Sequence, residues 1–408
     1  MFSVINPATE EVFATSPVTN ERDVEKAFAA ASKAFDEWSE TTPSERQLAL
    51  FRIADAMEAR AEEFADVESE NTGKPRETLV DYEILPSVDQ IRFFAGAARN
   101  LQGLATGEYV KDHTSSIRRE PIGVIGQVTP WNYPLYQLAA KVGPALAAGC
   151  TVVVKPSSVA PLATFVLADI VDGLGLPAGA FNLVSGRGAL VGDLLSSHPE
   201  VDMVSLTGST GAGVQVAHSA AGTIKKVALE LGGKSAFLVA PGADLDEAIP
   251  NAVRGAFVNN GQTCSATTRL IVPNAIIADV EERVAAMVNA FVIGNPLDPS
   301  VTLGPVASVG QFKTVKNYID IGMTEGTLIA GGPGAVDGLD RGYFVKPTVF
   351  SRLSPKAVVV QEEIFGPVLV IVGYDTLDEG IAIANDSEFG LSGAVFAADI
   401  PEARSEER

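Results

Sequence analysis

Two side chains in this sequence have the chemistry of a nucleophile and a base. Cys264 lies in Asn260-Gly261-Gln262-Thr263-Cys264-Ser265, where a glycine close to the cysteine lets a substrate approach the backbone. A thiolate is a strong nucleophile toward a carbonyl carbon. An isolated cysteine is more often a buried apolar residue. That reading stays open for Cys264 and is preferred for Cys150, which enters an apolar run. Glu230 sits in Leu229-Glu230-Leu231-Gly232-Gly233-Lys234, a carboxylate in an apolar stretch that ends on two glycines. Burial there would raise its pKa, which suits a general base; the alternative is a strand-edge glutamate facing water. Asn132, in Thr129-Pro130-Trp131-Asn132-Tyr133-Pro134, offers an amide donor to a developing oxyanion, although asparagine and proline are also common turn residues. Gly208-Ser209-Thr210-Gly211-Ala212-Gly213 opens a helix, where backbone N–H groups can face a phosphate. Gly186-Arg187-Gly188 is a second glycine turn. Neither is the G-x-G-x-x-G fingerprint, and each alone also reads as a plain tight turn.

The elements that must position these residues follow from hydrophobic spacing. Asn20 caps a helix on which Val24, Ala27, Phe28, Ala31 and Phe35 recur at helical intervals. Thr42, Pro43 and Glu45 start another, expected to run through Leu50, Ile53, Met57 and Phe64, and Gly73 and Pro75 end the region. From about residue 120, short β-branched runs at 123–128, 151–154, 181–184 and 201–206 alternate with helical stretches such as 163–174 and 189–196. Near-continuous apolar strands between helices predict a parallel sheet buried on both faces, the doubly wound architecture whose ligand crevice lies at the carboxyl ends of the strands. A second βα series is expected at 235–239, 270–272, 327–330, 345–350 and 368–372, with a helix at 244–258 ahead of Cys264. The polar, alternating stretch 107–119 reads as an exposed hairpin that docks on another subunit. The chain is thus expected to be α/β: a doubly wound parallel-sheet cofactor domain (1–105 and 122–232), a small β-hairpin oligomerisation element (106–121) and a second α/β catalytic domain (233–408).

Composition narrows the partners. Lysine and arginine number 30 against 51 aspartates and glutamates, a formal net charge of −21, which argues against nucleic acid and against an anionic membrane surface. No apolar run reaches the ~20 residues needed to span a bilayer. Two cysteines make no disulfide framework, and the N-terminus lacks a signal-peptide pattern, so a cytoplasmic setting is expected.

Taken in order, Pro130-Trp131-Asn132-Tyr133-Pro134, Val154-Lys155-Pro156-Ser157, Leu206-Thr207-Gly208-Ser209-Thr210, Leu229 to Lys234, Gly261-Gln262-Thr263-Cys264 and Glu362-Glu363-Ile364-Phe365-Gly366-Pro367 resemble the aldehyde dehydrogenase superfamily. The likeness runs to about Asp399, and the pair Glu230 and Cys264, 34 residues apart (264 − 230), is its most specific part. The resemblance implies that Cys264 attacks the aldehyde and that Asn132 and the Cys264 N–H hold the oxyanion. Glu230 would activate water against the resulting thioester, with Lys141 near the proton path. For the cofactor, NAD or NADP, it implies Lys155 at the adenosine ribose, Gly188, Gly208 and Ser209 along the adenine and pyrophosphate, and Glu363 at the nicotinamide ribose with Phe365 beside the ring. Thr129, Trp131 and Leu231 would line the nicotinamide half.

Two departures from the family pattern matter. Ser158 stands where NAD-specific members often carry a glutamate that repels a 2′-phosphate, so NADP should be tolerated. Family members also continue past Asn385-Asp386-Ser387, whereas here a charged, unstructured-looking tail, 401–408, follows, so part of the catalytic domain is expected to be absent. The alternative to an enzyme is accordingly a shortened, inactive relative that binds or scaffolds. If the chain assembles, a homodimer or homotetramer is expected. Arg92 to Arg99, Gly107-Glu108-Tyr109 and His113-Thr114-Ser115 resemble the aminobutyraldehyde and betaine-aldehyde branch. Trp131 and Tyr133 would give a cationic substrate an aromatic wall, and Asp81, Glu83 or Asp89 a counter-charge, although solvated helix faces are the more ordinary place for such acids. A coenzyme A-dependent acyl transferase has no need of Glu230, and a cysteine hydrolase would need a histidine, yet His113, His198 and His218 all lie away from the nucleophile motif.

Overall fold

The computed structural model describes residues 1–405. Strands β1 (Phe2–Asn6) and β2 (Glu11–Ser16) form one two-stranded ribbon, and β3 (Leu104–Val110) and β4 (His113–Ile117) another. Strands β5 (Val124–Val128), β6 (Thr151–Lys155), β7 (Phe181–Leu183), β8 (Met203–Thr207) and β9 (Lys226–Glu230) make a five-stranded sheet in the order β7-β6-β5-β8-β9. Strands β10 (Ala236–Val239), β11 (Arg269–Pro273), β12 (Thr327–Ala330), β13 (Thr348–Ser351), β14 (Val368–Tyr374) and β15 (Gly393–Phe396) make a six-stranded sheet in the order β12-β13-β14-β11-β10-β15. The chain divides into two compact units. Met1–Val4, Phe13–Glu68 and Thr78–Glu230 form the first; Ile5–Val12, Ser69–Glu77 and the chain from Leu231 form the second.

The first unit is built on an all-parallel sheet. Alternate residues of β6 enter different cores, Val152 and Val154 one and Val153 the other, because successive strand side chains point to opposite faces. Helices on both faces supply the rest, which is the doubly wound arrangement. The helix Glu21–Trp38 starts where expected, with the Asn20 side chain accepting from the Asp23 N–H. The helix Pro43–Ala59 carries a complete capping box between Thr42 and Glu45, a device that contributes ~1 kcal/mol. It stops at Arg60 (φ −112°, ψ 23°), so Phe64 belongs to a separate helix, Ala61–Thr72, rather than to one continuous element. The β3–β4 ribbon begins at Leu104, earlier than its polar pattern indicates, and its strand β4 is exposed throughout.

The second unit repeats the alternation. Val368, Val370 and Val372 of β14 enter one core, Leu369 and Ile371 the other. Its sheet is mixed, since β12 pairs antiparallel with β13 while the remaining pairs are parallel. The run expected at 345–350 becomes strand only from Thr348, and both β9 and β15 lie outside the expected set. Part of the tail expected to be irregular is helical, Ile400–Ser405, and residues 406–408 lie outside the described residues.

Candidate active site

In the first unit, parallel register brings the ends of four strands level. Val128 stands opposite Lys155 and Leu206, and Thr207 opposite Glu230. One step further the chain turns. The Thr129 N–H donates to the Lys155 carbonyl at 3.1 Å, and the Gly208 N–H to the Glu230 carbonyl at 3.0 Å. The turn after Thr129 holds a half-buried Trp131 and a buried Asn132, then enters the helix Pro134–Ala147 with proline in its first turn, where a missing N–H is harmless. The Thr129 Oγ1 is buried with no hydrogen-bond partner among the described residues. Lys155 is buried, and its Nζ donates to the carbonyls of Pro156 (2.6 Å) and Gly186 (3.3 Å); burial pushes its pKa down to about 8. Ser209 caps the helix Thr210–Ala221 by accepting from the Ala212 N–H, and β-carbons added at Gly188 or Gly211 would meet open space. Ser158 follows Lys155 in a half-buried bend.

Lys141 projects from the helix Pro134–Ala147 into a cavity of about 690 Å³ that Gln127, Ser205, Lys226 and Glu230 also line. Its Nζ donates to Ser205 Oγ at 2.8 Å. Burial draws its pKa down to about 8, and the Glu230 carboxylate opposes the shift. Glu230 itself is exposed, the last residue of an edge strand. The expectation of a buried glutamate is therefore corrected: β9 has a neighbour on one side only, and the apolar residues around Glu230 are just partly covered.

In the second unit, three loops precede the adjacent parallel strands β10, β11 and β14, and they touch one another. The Gly233 N–H donates to Glu363 Oε1 at 2.9 Å. A β-carbon on Gly232 would stand 2.2 Å from Glu363 Oε2, and one on Gly233 would stand 2.5 Å from the Cys264 carbonyl oxygen. Close approach to backbone therefore demands glycine at 233, whereas at 232 the Glu363 side chain would have to move. Leu231, the first residue of this unit's long C-terminal segment, is half-buried, as are Cys264, Glu363 and Phe365. Phe365 has φ 57°, a left-handed conformation costly for an aromatic residue, and is held there by the Gln311 side chain, whose Nε2 donates to the carbonyls of Ile364 and Phe365 at 3.0 and 2.7 Å. Burial raises the Glu363 pKa, opposed by the Gly233 N–H and by Lys234. Lys234 is 2% exposed, and its Nζ has no hydrogen-bond partner among the described residues. Burial, with Arg269 adding to it, brings its pKa down to about 7 against the pull of Glu363 and Glu362. Local spacing assigns Lys234 no role, because its burial is a product of the fold. Cys150 is buried as expected, and burial raises its thiol pKa.

Among the described residues no cluster of His, Cys, Asp or Glu is placed to hold a metal ion, and no helix is long and apolar enough to cross a membrane. The profile of the Aldehyde dehydrogenase family matches residues 1–406. The chain belongs to the aldehyde dehydrogenase family. It is 44% identical over 404 residues to 3-succinoylsemialdehyde-pyridine dehydrogenase of a Pseudomonas species, covering 98% of this chain and 84% of that one. The crystal structure of aldehyde dehydrogenase C from Pseudomonas syringae, complexed with NAD+ and octanal, superposes with a TM-score of 0.96 at 43% identity, over 99% of this chain and 82% of that one. Betaine aldehyde dehydrogenase from Staphylococcus aureus, in complex with NAD+, superposes equally well (TM-score 0.96) at 37% identity, over 99% and 82% of the two chains. The family likeness read from the six motifs thus extends over nearly the whole chain.

Proposed function

We propose that this aldehyde dehydrogenase oxidises its aldehyde to the carboxylic acid with NAD or NADP, through covalent intermediates on Cys264. The observation that carries the reading is the Cys264 loop, which touches the Gly232-Gly233 segment, itself bonded to Glu363. The residues at the sheet edge of the first unit fit a dinucleotide. Among the described residues Thr129 Oγ1 is a buried hydroxyl without a hydrogen-bond partner, Lys155 is a buried donor, and Gly211, with open space beside it, follows the Ser209 helix cap. Lys155, Gly188, Gly208 and Ser209 would hold the adenosine and pyrophosphate; Thr129, Trp131, Leu231, Glu363 and Phe365 would hold the nicotinamide half. When bound, the nicotinamide supplies the hydride acceptor. Cys264 Sγ adds to the aldehyde carbon to give a thiohemiacetal, whose oxyanion Asn132 and the Cys264 N–H stabilise. Glu230 takes a proton from the water that hydrolyses the thioester. Lys141, beside Glu230 and bonded to Ser205, holds a proton at Nζ that this carboxylate can exchange.

The aldehyde is a separate question. Relatives at 43–44% identity have a semialdehyde in the name or octanal in the crystal, whereas betaine aldehyde enters at 37%. Of the three acids considered as counter-charges, Asp81 and Asp89 are exposed and only Glu83 is buried. The first observation supports an uncharged aldehyde, while the aminoaldehyde or betaine aldehyde read from the sequence keeps Glu83 as its one buried counter-charge. Assembly into a homo-oligomer would use the β3–β4 ribbon, which exposes Tyr109 by 80% along with Leu104 and Val110.

Purified protein is expected to reduce NAD fastest with octanal, and more slowly with 4-aminobutanal and betaine aldehyde. Cys264→Ser should abolish all three rates, and added coenzyme A should change neither rate nor product. Turnover that survives in Cys264→Ser would refute the mechanism. A protein that melts cooperatively and oxidises none of the aldehydes would instead support the inactive, binding relative.

A further inference from the structure

The turn that delivers Cys264 has an unusual backbone. Asn259, Asn260 and Gly261 have φ of 52°, 56° and 72°, three left-handed residues in succession. Such runs are avoided by L-residues unless surrounding structure enforces them. Asn260 is 1% exposed, and its side chain is the enforcing contact. Its Nδ2 donates to the Gly73 carbonyl at 3.0 Å and to the Pro305 carbonyl at 2.9 Å, while its Oδ1 accepts from the Gly304 N–H at 2.8 Å. Two carbonyls and one N–H leave the amide a single orientation. The two loops it joins are already in van der Waals contact, since a β-carbon on Gly304 would stand 1.9 Å from the Gly73 oxygen. Gln262 adds a second arm, its Oε1 accepting from the Ala307 N–H at 2.9 Å. On the far side a β-carbon at Gly261 would stand 2.1 Å from the Gly366 oxygen, so the turn is backed against the segment that carries Glu363 and Phe365.

We infer that Asn260 is a positioning residue for the reaction: its amide bridges the 73 and 304–305 loops, locks the left-handed turn and so fixes where Cys264 stands. This rests on Cys264 being the nucleophile. Asn260 touches no reacting atom. It acts through four residues of chain, and a displacement of the order of 1 Å at a nucleophile is worth up to about a hundredfold in rate.

Two variants separate the amide from the backbone. Asn260→Gly keeps a residue at ease in the left-handed region and deletes all three hydrogen bonds; Asn260→Ala loses both. The readouts are the burst of reduced nicotinamide, the NAD dissociation constant, and the pH midpoint of Cys264 alkylation by iodoacetamide, all taken well below the melting temperature. Both variants are expected to slow the burst by about tenfold or more, with NAD affinity within about twofold of the parent, and to move the alkylation midpoint. An Asn260→Gly burst and alkylation profile equal to the parent's, with only the melting temperature lowered, would overturn the inference and leave Asn260 a structural residue. Should the parent protein show neither burst nor turnover, the proposed function fails, and the alkylation midpoint alone decides the role of Asn260. Should neither variant fold, hydrogen exchange in the parent decides. Gly304 and Ala307 amides protected as strongly as β11 support the clamp, and exchange at the rate of an open loop rejects it.

Discussion

The two sheets present their candidate residues from opposite ends. In the five-stranded sheet, Thr129, Asn132, Lys155, Gly208 and Glu230 stand at or just past the carboxyl ends of parallel strands. In the six-stranded sheet, Leu231, Cys264, Glu363 and Phe365 stand ahead of the amino ends of β10, β11 and β14. Carboxyl-end positions come almost free with the fold, because strand-to-helix turns open there and helix N-termini face outward. Amino-end positions do not. They rest on left-handed residues, on glycines packed against carbonyl oxygens and on a buried, unpartnered lysine. The proposed nucleophile, Cys264, thus sits on the strained side and the proposed base, Glu230, on the relaxed side, in keeping with strain gathering at functional sites.

That division of labour can be broken experimentally. The largest effect is expected from Glu230→Gln, a change on the relaxed side. Steady-state turnover should fall by about 10²–10⁴, while the burst of one reduced nicotinamide per site persists. A burst lost together with turnover would mean that Glu230 serves thioester formation, and the division would collapse. A smaller effect tests Ser158. The parent should use NADP at no less than about a thousandth of its NAD rate, a gap of roughly 4 kcal/mol, and Ser158→Glu should remove NADP use while sparing NAD. A parent rate with NADP below that bound would reject dual cofactor use.

The smallest effect concerns stability on the strained side. The folded Lys234 pKa is about 7, depressed from 10.5 by burial. Between those values the unfolded chain binds the proton and the folded one does not, so this group makes stability rise with pH across the window from about 7 to 10.5 and contributes its full penalty below it. Lys234→Met should therefore be more stable than the parent near pH 7. Its advantage should shrink as pH rises, by up to about 1.4 kcal/mol per pH unit. Urea melts at pH 6.5 and pH 9 check this, and an advantage that does not change with pH would show that Lys234 is paired rather than isolated.

The same contrast explains what was legible in the sequence. The relaxed side was readable from physics, because hydrophobic alternation marks β5 to β8 and the glycine turns follow them. On the strained side the thiol and its neighbouring glycine mark Cys264 as a candidate, but only the motif likeness separates it from a buried apolar cysteine and points to Glu363, since nothing in local spacing says that a loop ahead of a strand carries chemistry. Two asparagines before a glycine signal tolerance of left-handed backbone, but the partners of Asn260 at 73 and 304–305 are too distant in sequence to suggest a clamp. The burial expected at Glu230 failed because an apolar neighbourhood in sequence does not reveal that β9 is an edge strand. The break at Arg60 was hidden by apolar spacing that continues through it from Met57 to Phe64. Single turns of wider helix at Val80–Ile84 and Gly188–Gly192 interrupt regions whose periodicity gives no warning of them.

The clamp on the Cys264 turn also sets an order of events during synthesis. Gly73 leaves the ribosome 187 residues before Asn260, an interval of roughly 10–40 s at ordinary elongation rates. Through that time the segment Ser69–Glu77, which belongs to the second unit, has no second unit to join. The first unit's strands emerge in that time, but the turn before Cys264 is locked only once the chain has grown past Pro305. A nascent chain arrested between those points would carry its reactive thiol on an untethered loop, open to oxidants and alkylating aldehydes until the last contact closes.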